Sequence, residues 1–70
     1  MTSPAPLIGI TTRREIHEGD SVIRVGEAYV QAVLHAGGIP LLLPMGSLPL
    51  DAILPHLDGL LFSGGGDIDP

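Results

Sequence analysis

Cysteine is absent from the 70 residues, and so is lysine. Without cysteine no disulfide can staple the fold, and no zinc site of the Cys/His type can form. Without lysine a phosphate loop of the Walker type is excluded, because its Gly-Lys-Ser/Thr element cannot be built. Positive charge is scarce. Arg13, Arg14 and Arg24 stand against eight acidic residues, for a net charge of −5 and a pI near 4.7. Nucleic-acid binding by phosphate neutralisation needs a basic surface, so no nucleic-acid partner is expected. An anionic membrane surface is equally unattractive to such a chain. The start, "MTSPAP", lacks a basic region followed by a long apolar one. Neither a signal peptide nor a membrane span is expected, and a cytoplasmic location follows as the default.

What is present reads as core. The chain is 44% hydrophobic with a mean hydropathy of +0.42, too apolar for a disordered segment. At this length a single core is marginal without disulfides or metal. The chain is therefore expected to bury its apolar surface against something else, either further sequence or another chain.

The order of elements is legible from periodicity. "PLIGIT" (6–11) is a short apolar run with little polar alternation, as in a strand buried on both faces. "TRREIHEGD" carries most of the charge and reads as a loop. Val25, Ala28, Tyr29, Ala32, Val33 and Ala36 fall on one helical stripe, with Asp20 or Ser21 placed to cap its start and Gly37–Gly38 to end it. "IPLLLP" (39–44) is a second buried strand. Leu50, Ile53, Leu54 and Leu57 have helical spacing, with Pro49 suited to the first turn and Pro55 limiting the helix to a short or irregular one. "GLLFS" (59–63) is a third strand. The pattern β-α-β-α-β predicts an α/β fold, a parallel sheet with flanking helices. Its strands lie near Leu7–Thr11, Leu41–Pro44 and Leu60–Phe62, with the first between the other two or beside the third. No internal boundary divides residues 1–70.

The third strand runs into "SGGGDIDP" (63–70). In parallel α/β sheets, ligands bind beyond the carboxyl ends of strands, and glycines there let backbone N–H groups approach a ligand. A dinucleotide fingerprint is ruled out, because "TTRRE" and not G-x-G-x-x-G follows the first strand. Asp67 and Asp69 match a calcium loop weakly, since the glycine and terminal glutamate of an EF-hand are missing. Turns or a helix cap are the plainer reading of both aspartates. An oxyanion site remains, made of backbone N–H groups aimed at negative charge developing in acyl transfer.

The stretches "PLIGIT", "YVQAVLHAGGIPLLLP" and "LDGLLFSGGGDIDP", in that order, resemble the amino-terminal part of the class I glutamine amidotransferase-like family. The peptidase C26 branch, of gamma-glutamyl-gamma-aminobutyrate and gamma-glutamyl hydrolases, is the most similar. The resemblance runs from Pro6 to Pro70. It implies a flavodoxin-like domain of which residues 1–70 are the amino-terminal part. It also implies hydrolysis of a gamma-glutamyl amide through a cysteine thioester, with a Cys-His-Glu triad and no cofactor or metal.

By the same resemblance Gly65 lends its N–H to the oxyanion hole, Gly64 and Gly66 form the substrate-side loop with it, and Tyr29 lies near the active site. The family's cysteine lies well downstream of this loop, so the nucleophile is expected outside this chain. The partners implied are the remainder of the domain and a small gamma-glutamyl substrate, and the complete domain is compatible with a homodimer. Two other readings stand: a glutaminase subunit delivering ammonia to a synthetase, and a non-catalytic α/β binding module. The "GGGDIDP" ending favours the hydrolase, because amidotransferase subunits more often carry Gly-Gly-Pro there.

Other residues have plainer roles beside the functional ones. Tyr29 falls in the apolar stripe, a core position. Arg13 and Arg14 follow the first strand, where Arg14 can hold a substrate carboxylate by a bidentate contact or both can be solvated loop charges. His17, His35 and His56 carry no metal spacing. Expressed alone, these 70 residues should aggregate or stay partly unfolded. A cooperative thermal transition from the isolated monomer would refute that expectation.

Overall fold

The structure is a computed structural model and describes residues 4–44, 46 and 48–63. The elements run β1 (Leu7–Thr11), β2 (Arg13–His17), β3 (Asp20–Arg24), α1 (Glu27–His35), β4 (Ile39–Leu43), α2 (Leu50–Ile53), a 3₁₀ turn (Leu54–His56) and β5 (Gly59–Leu61). Strands β4, β1 and β5 form a parallel sheet in that order. The first strand thus lies between the other two. Ile10 pairs with Leu42 on one side and Leu61 on the other.

Both ends of β1 are tied by side chains. At its start, the Leu7 N–H donates to Asp58 Oδ2 at 2.8 Å, and the Asp58 N–H donates to the Leu7 carbonyl at 2.8 Å. At its end, the buried Thr12 Oγ1 donates to the Leu43 carbonyl at 2.7 Å. The centre of β1 is a glycine for a packing reason. A Cβ on Gly9 would sit 2.7 Å from Leu57 Cδ1 and 2.9 Å from Leu43 Cδ1.

Helix α1 ends as expected, with Gly37 at φ +89° and its N–H bonded to the Leu34 carbonyl at 3.0 Å. Its start differs from the expectation. The helix begins at Glu27 behind Gly26, which offers no side-chain cap, while Asp20 and Ser21 belong to β3. The reason lies in the segment before it. The charged stretch 12–20, expected as a loop, folds with the residues after it into an antiparallel hairpin of β2 and β3. Glu18 (φ +52°) and Gly19 (φ +85°) make its two-residue turn, the two positive φ values that a type I′ turn requires.

The expectation of strands buried on both faces also needs correction. Ile10, Val33 and Leu43 are the buried hydrophobic residues among those described. In β4, Ile39, Leu41 and Leu42 are exposed, because the described elements include no second layer over them. Along the helical stripe Val33 is buried, whereas Ala28, Tyr29, Ala32 and Ala36 are not. An apolar groove of about 370 Å³ lies between α1 and the β1–β5 half of the sheet, with Ile8, Ala32, Ala36 and Leu60 in its walls. Among the described residues no helix is long and apolar enough to cross a membrane.

Gly9→Val should lower the denaturant midpoint of the folded protein by an amount equivalent to about 1–3 kcal/mol, the usual cost of overpacking a filled site. An unchanged midpoint would show that Leu57 and Leu43 move aside freely.

Candidate active site at the carboxyl edge of the sheet

Parallel strands deliver their carboxyl ends to one edge, where connecting loops converge. Here that edge receives Thr11 at the end of β1, Thr12 just after it and Ser63 just beyond β5. The Ser63 N–H donates to Thr11 Oγ1 at 2.9 Å. Thr11 is buried and the bond is part-buried, so it is partly protected from water and ties the chain just past β5 to the end of β1.

The hairpin emerges from the same edge. Because side chains alternate along a strand, Arg13, Glu15 and Arg24 share one face of it, and Arg14, Ile16, Ser21 and Ile23 the other. The first face helps to wall a cavity of about 360 Å³, together with Val25, Gly26, Tyr29 and Ser63. Tyr29 is 37% exposed, not the core residue its place in the stripe suggests, and its ring packs over Gly26. Across the cavity floor, Glu15 Oε2 accepts from Arg13 Nε at 2.9 Å and pairs with its Nη2 at 2.6 Å. Arg24 Nε lies 3.4 Å from Glu15 Oε1. The cluster is two guanidiniums around one carboxylate.

Such a cavity can hold a small polar or anionic molecule. Among the described residues it shows no nucleophile–base pair, since none of His17, His35 and His56 lines it beside Ser63. His17 lies at the hairpin turn, 3.7 Å from Glu18, and His35 and His56 are exposed. Among the described residues no three His, Asp or Glu side chains gather as metal ligands.

Of the residues singled out from the sequence, Tyr29 and Arg13 line this cavity. Arg14 does not; its Nη1 lies on the opposite face and donates to Ser21 Oγ at 3.4 Å. Gly64, Gly65, Gly66, Asp67 and Asp69 lie outside the described residues. The sequence reading overlooked Thr11, Glu15 and Arg24. Thr11 carried a usable signal, a hydroxyl residue closing an apolar strand. Glu15 and Arg24 carried none until the hairpin brings them together.

The sequence profile of the family described as Peptidase C26 matches residues 6–70. The chain belongs to the peptidase C26 family. Its relatives include the gamma-glutamyl-gamma-aminobutyrate hydrolase PuuD of Escherichia coli, 36% identical over 62 residues that cover 84% of this chain and 24% of that protein. The corresponding hydrolase of Shigella flexneri is 36% identical over 58 residues, 79% of this chain and 23% of that protein. Protein NtpR of Enterococcus hirae is 34% identical over 71 residues, 93% of this chain and 30% of that protein. The chain thus spans about a quarter of the length of the C26 hydrolases it matches.

Thr11→Val keeps the shape of the side chain and removes the acceptor for Ser63. Amide exchange at Ser63 should then speed up by roughly 5- to 10-fold, the equivalent of one ordinary hydrogen bond, with the Leu7 amide unaffected. Equal protection at Ser63 in both proteins would show that Thr11 does not hold the strand end.

Proposed function

We propose that this chain supplies the oxyanion-hole loop of a cysteine-dependent hydrolase of gamma-glutamyl amide bonds, with the nucleophile outside these 70 residues. The observation that carries the reading is the Thr11–Ser63 bond at the carboxyl edge of β1 and β5. It tethers the residue that leads into Gly64, Gly65 and Gly66, beside a cavity sized for a small polar molecule. Membership of peptidase C26, with relatives named as gamma-glutamyl-gamma-aminobutyrate hydrolases, supports the substrate class. The exposed apolar residues of β4 and the open groove beside α1 are what a sheet displays when the rest of its domain belongs over it.

In this reading a cysteine thiolate from the remaining part of the domain attacks the gamma-carbonyl carbon. The carbonyl oxygen becomes an oxyanion, which the Gly65 N–H stabilises while Gly64 and Gly66 shape the turn around it. Collapse of the tetrahedral intermediate breaks the C–N bond, and a histidine of the triad protonates the departing amine. Water then hydrolyses the thioester, releasing glutamate and regenerating the thiol. Tyr29 sits on the wall of the cavity, where its hydroxyl can meet a polar group of the substrate.

The full-length protein should hydrolyse gamma-glutamyl-gamma-aminobutyrate in preference to glutamine. Gly65→Val should lower kcat by about 10²–10³, the usual effect of losing one oxyanion donor, with an unchanged circular dichroism spectrum. Gly66→Ala should be milder. Full turnover by a folded Gly65→Val enzyme would remove this residue from the oxyanion hole.

A further inference from the structure

Arg13 and Arg24 are directly opposed partners in the hairpin ladder. Like charges in that position repel and weaken a hairpin, so the arrangement calls for an anion between them. Glu15 supplies part of it, unequally. Both short contacts go to Arg13, whereas the Arg24 Nε lies 3.4 Å from the carboxylate.

The cluster as a whole carries one surplus positive charge in a chain of net charge −5. It borders the cavity, with the Arg13 and Arg24 side chains about half exposed and so open to a ligand. The same cavity is bounded by Gly26, the residue before α1, which provides no side-chain cap for that helix. The amino end of a helix favours a negative charge. Three features of one wall therefore ask for the same ligand chemistry.

We propose that the Arg13–Glu15–Arg24 cluster is the carboxylate-binding subsite of the gamma-glutamyl substrate, with Arg24 making the contact and Glu15 holding the two arginines in place. The inference rests on the hydrolase reading above and adds the residues that select a charged substrate. A planar guanidinium matches a carboxylate through two parallel N–H donors, and Arg24 has that edge to offer. Gamma-glutamyl-gamma-aminobutyrate has two carboxylates, one on the alpha carbon and one on the leaving amine, and either can occupy the subsite.

Steady-state kinetics of the full-length enzyme test this. Arg24→Gln should raise KM for gamma-glutamyl-gamma-aminobutyrate by roughly 10- to 100-fold, the range for one lost charge-assisted hydrogen bond, with kcat nearly unchanged. Arg24→Lys, which keeps the charge but not the fork, should fall between. Two further substrates locate the contact. Gamma-glutamyl anilide keeps only the alpha-carboxylate, and 4-aminobutyryl anilide has no carboxylate. A raised KM on gamma-glutamyl anilide assigns the subsite to the alpha-carboxylate; an unaffected one assigns it to the leaving group. An unchanged KM for the dipeptide in a folded Arg24→Gln enzyme would overturn the proposal, as would an equal loss on 4-aminobutyryl anilide. A wild-type enzyme inactive on every gamma-glutamyl amide would tell against the hydrolase reading instead.

Discussion

Strand β1 is clamped at both ends, and the carboxyl edge of the sheet exists because of it. The Asp58 carboxylate and amide grip Leu7 at one end. Thr12 grips the end of β4 and Thr11 holds Ser63, two residues past β5, at the other. A parallel pairing has no hairpin to set its register, so these contacts between residues far apart in sequence do that work. They fix how far β4 and β5 extend beyond β1. That in turn decides where Ser63 leaves the sheet and where the hairpin enters it, and so where the cavity lies.

The same sheet is thinly covered. A parallel sheet is stable when apolar layers lie on both of its faces, and here α1 reaches only part of one. Ile39, Leu41 and Leu42 remain exposed in β4, and the α1 stripe closes on the sheet at Val33 alone. The catalytic reading and this thin cover point the same way. The sheet edge offers a charged cavity beside Ser63, while the 70 residues hold no cysteine to act as nucleophile. In the proposed hydrolase, both the second layer and the nucleophile come from outside these 70 residues.

Much of the architecture was legible in the residues. Apolar runs without alternation marked the three parallel strands, the 3.6-residue stripe marked α1, and Gly37 marked its end, because each signal follows from local backbone and burial preferences. The hairpin was not legible. Its turn uses Glu18 at positive φ, which is uncommon for a residue with a side chain, in place of the Asn-Gly or Asp-Gly pairs that usually announce such a turn. Its Ile16 is 72% exposed, so burial did not impose an apolar–polar alternation. Missing the hairpin displaced the helix cap to Asp20 and Ser21. It also hid the cavity wall, since the pairing of Arg13 with Arg24 exists only once the two strands meet. Thr11 was visible as a residue type but not as a tether, because its partner lies 52 positions away. The glycine loop was read from its motif and its place after the third strand, and its residues lie outside those described.

In the proposed hydrolase, the loop after Ser63 presents the Gly65 N–H to the carbonyl oxygen of a gamma-glutamyl group. The most direct measurement is a crystal structure of the full-length protein with its cysteine trapped by a gamma-glutamyl electrophile. The former carbonyl oxygen should lie about 2.7–3.1 Å from the Gly65 nitrogen, the range for an oxyanion donor. A Gly65 N–H turned away from that oxygen, or bonded within its own sheet, would contradict it.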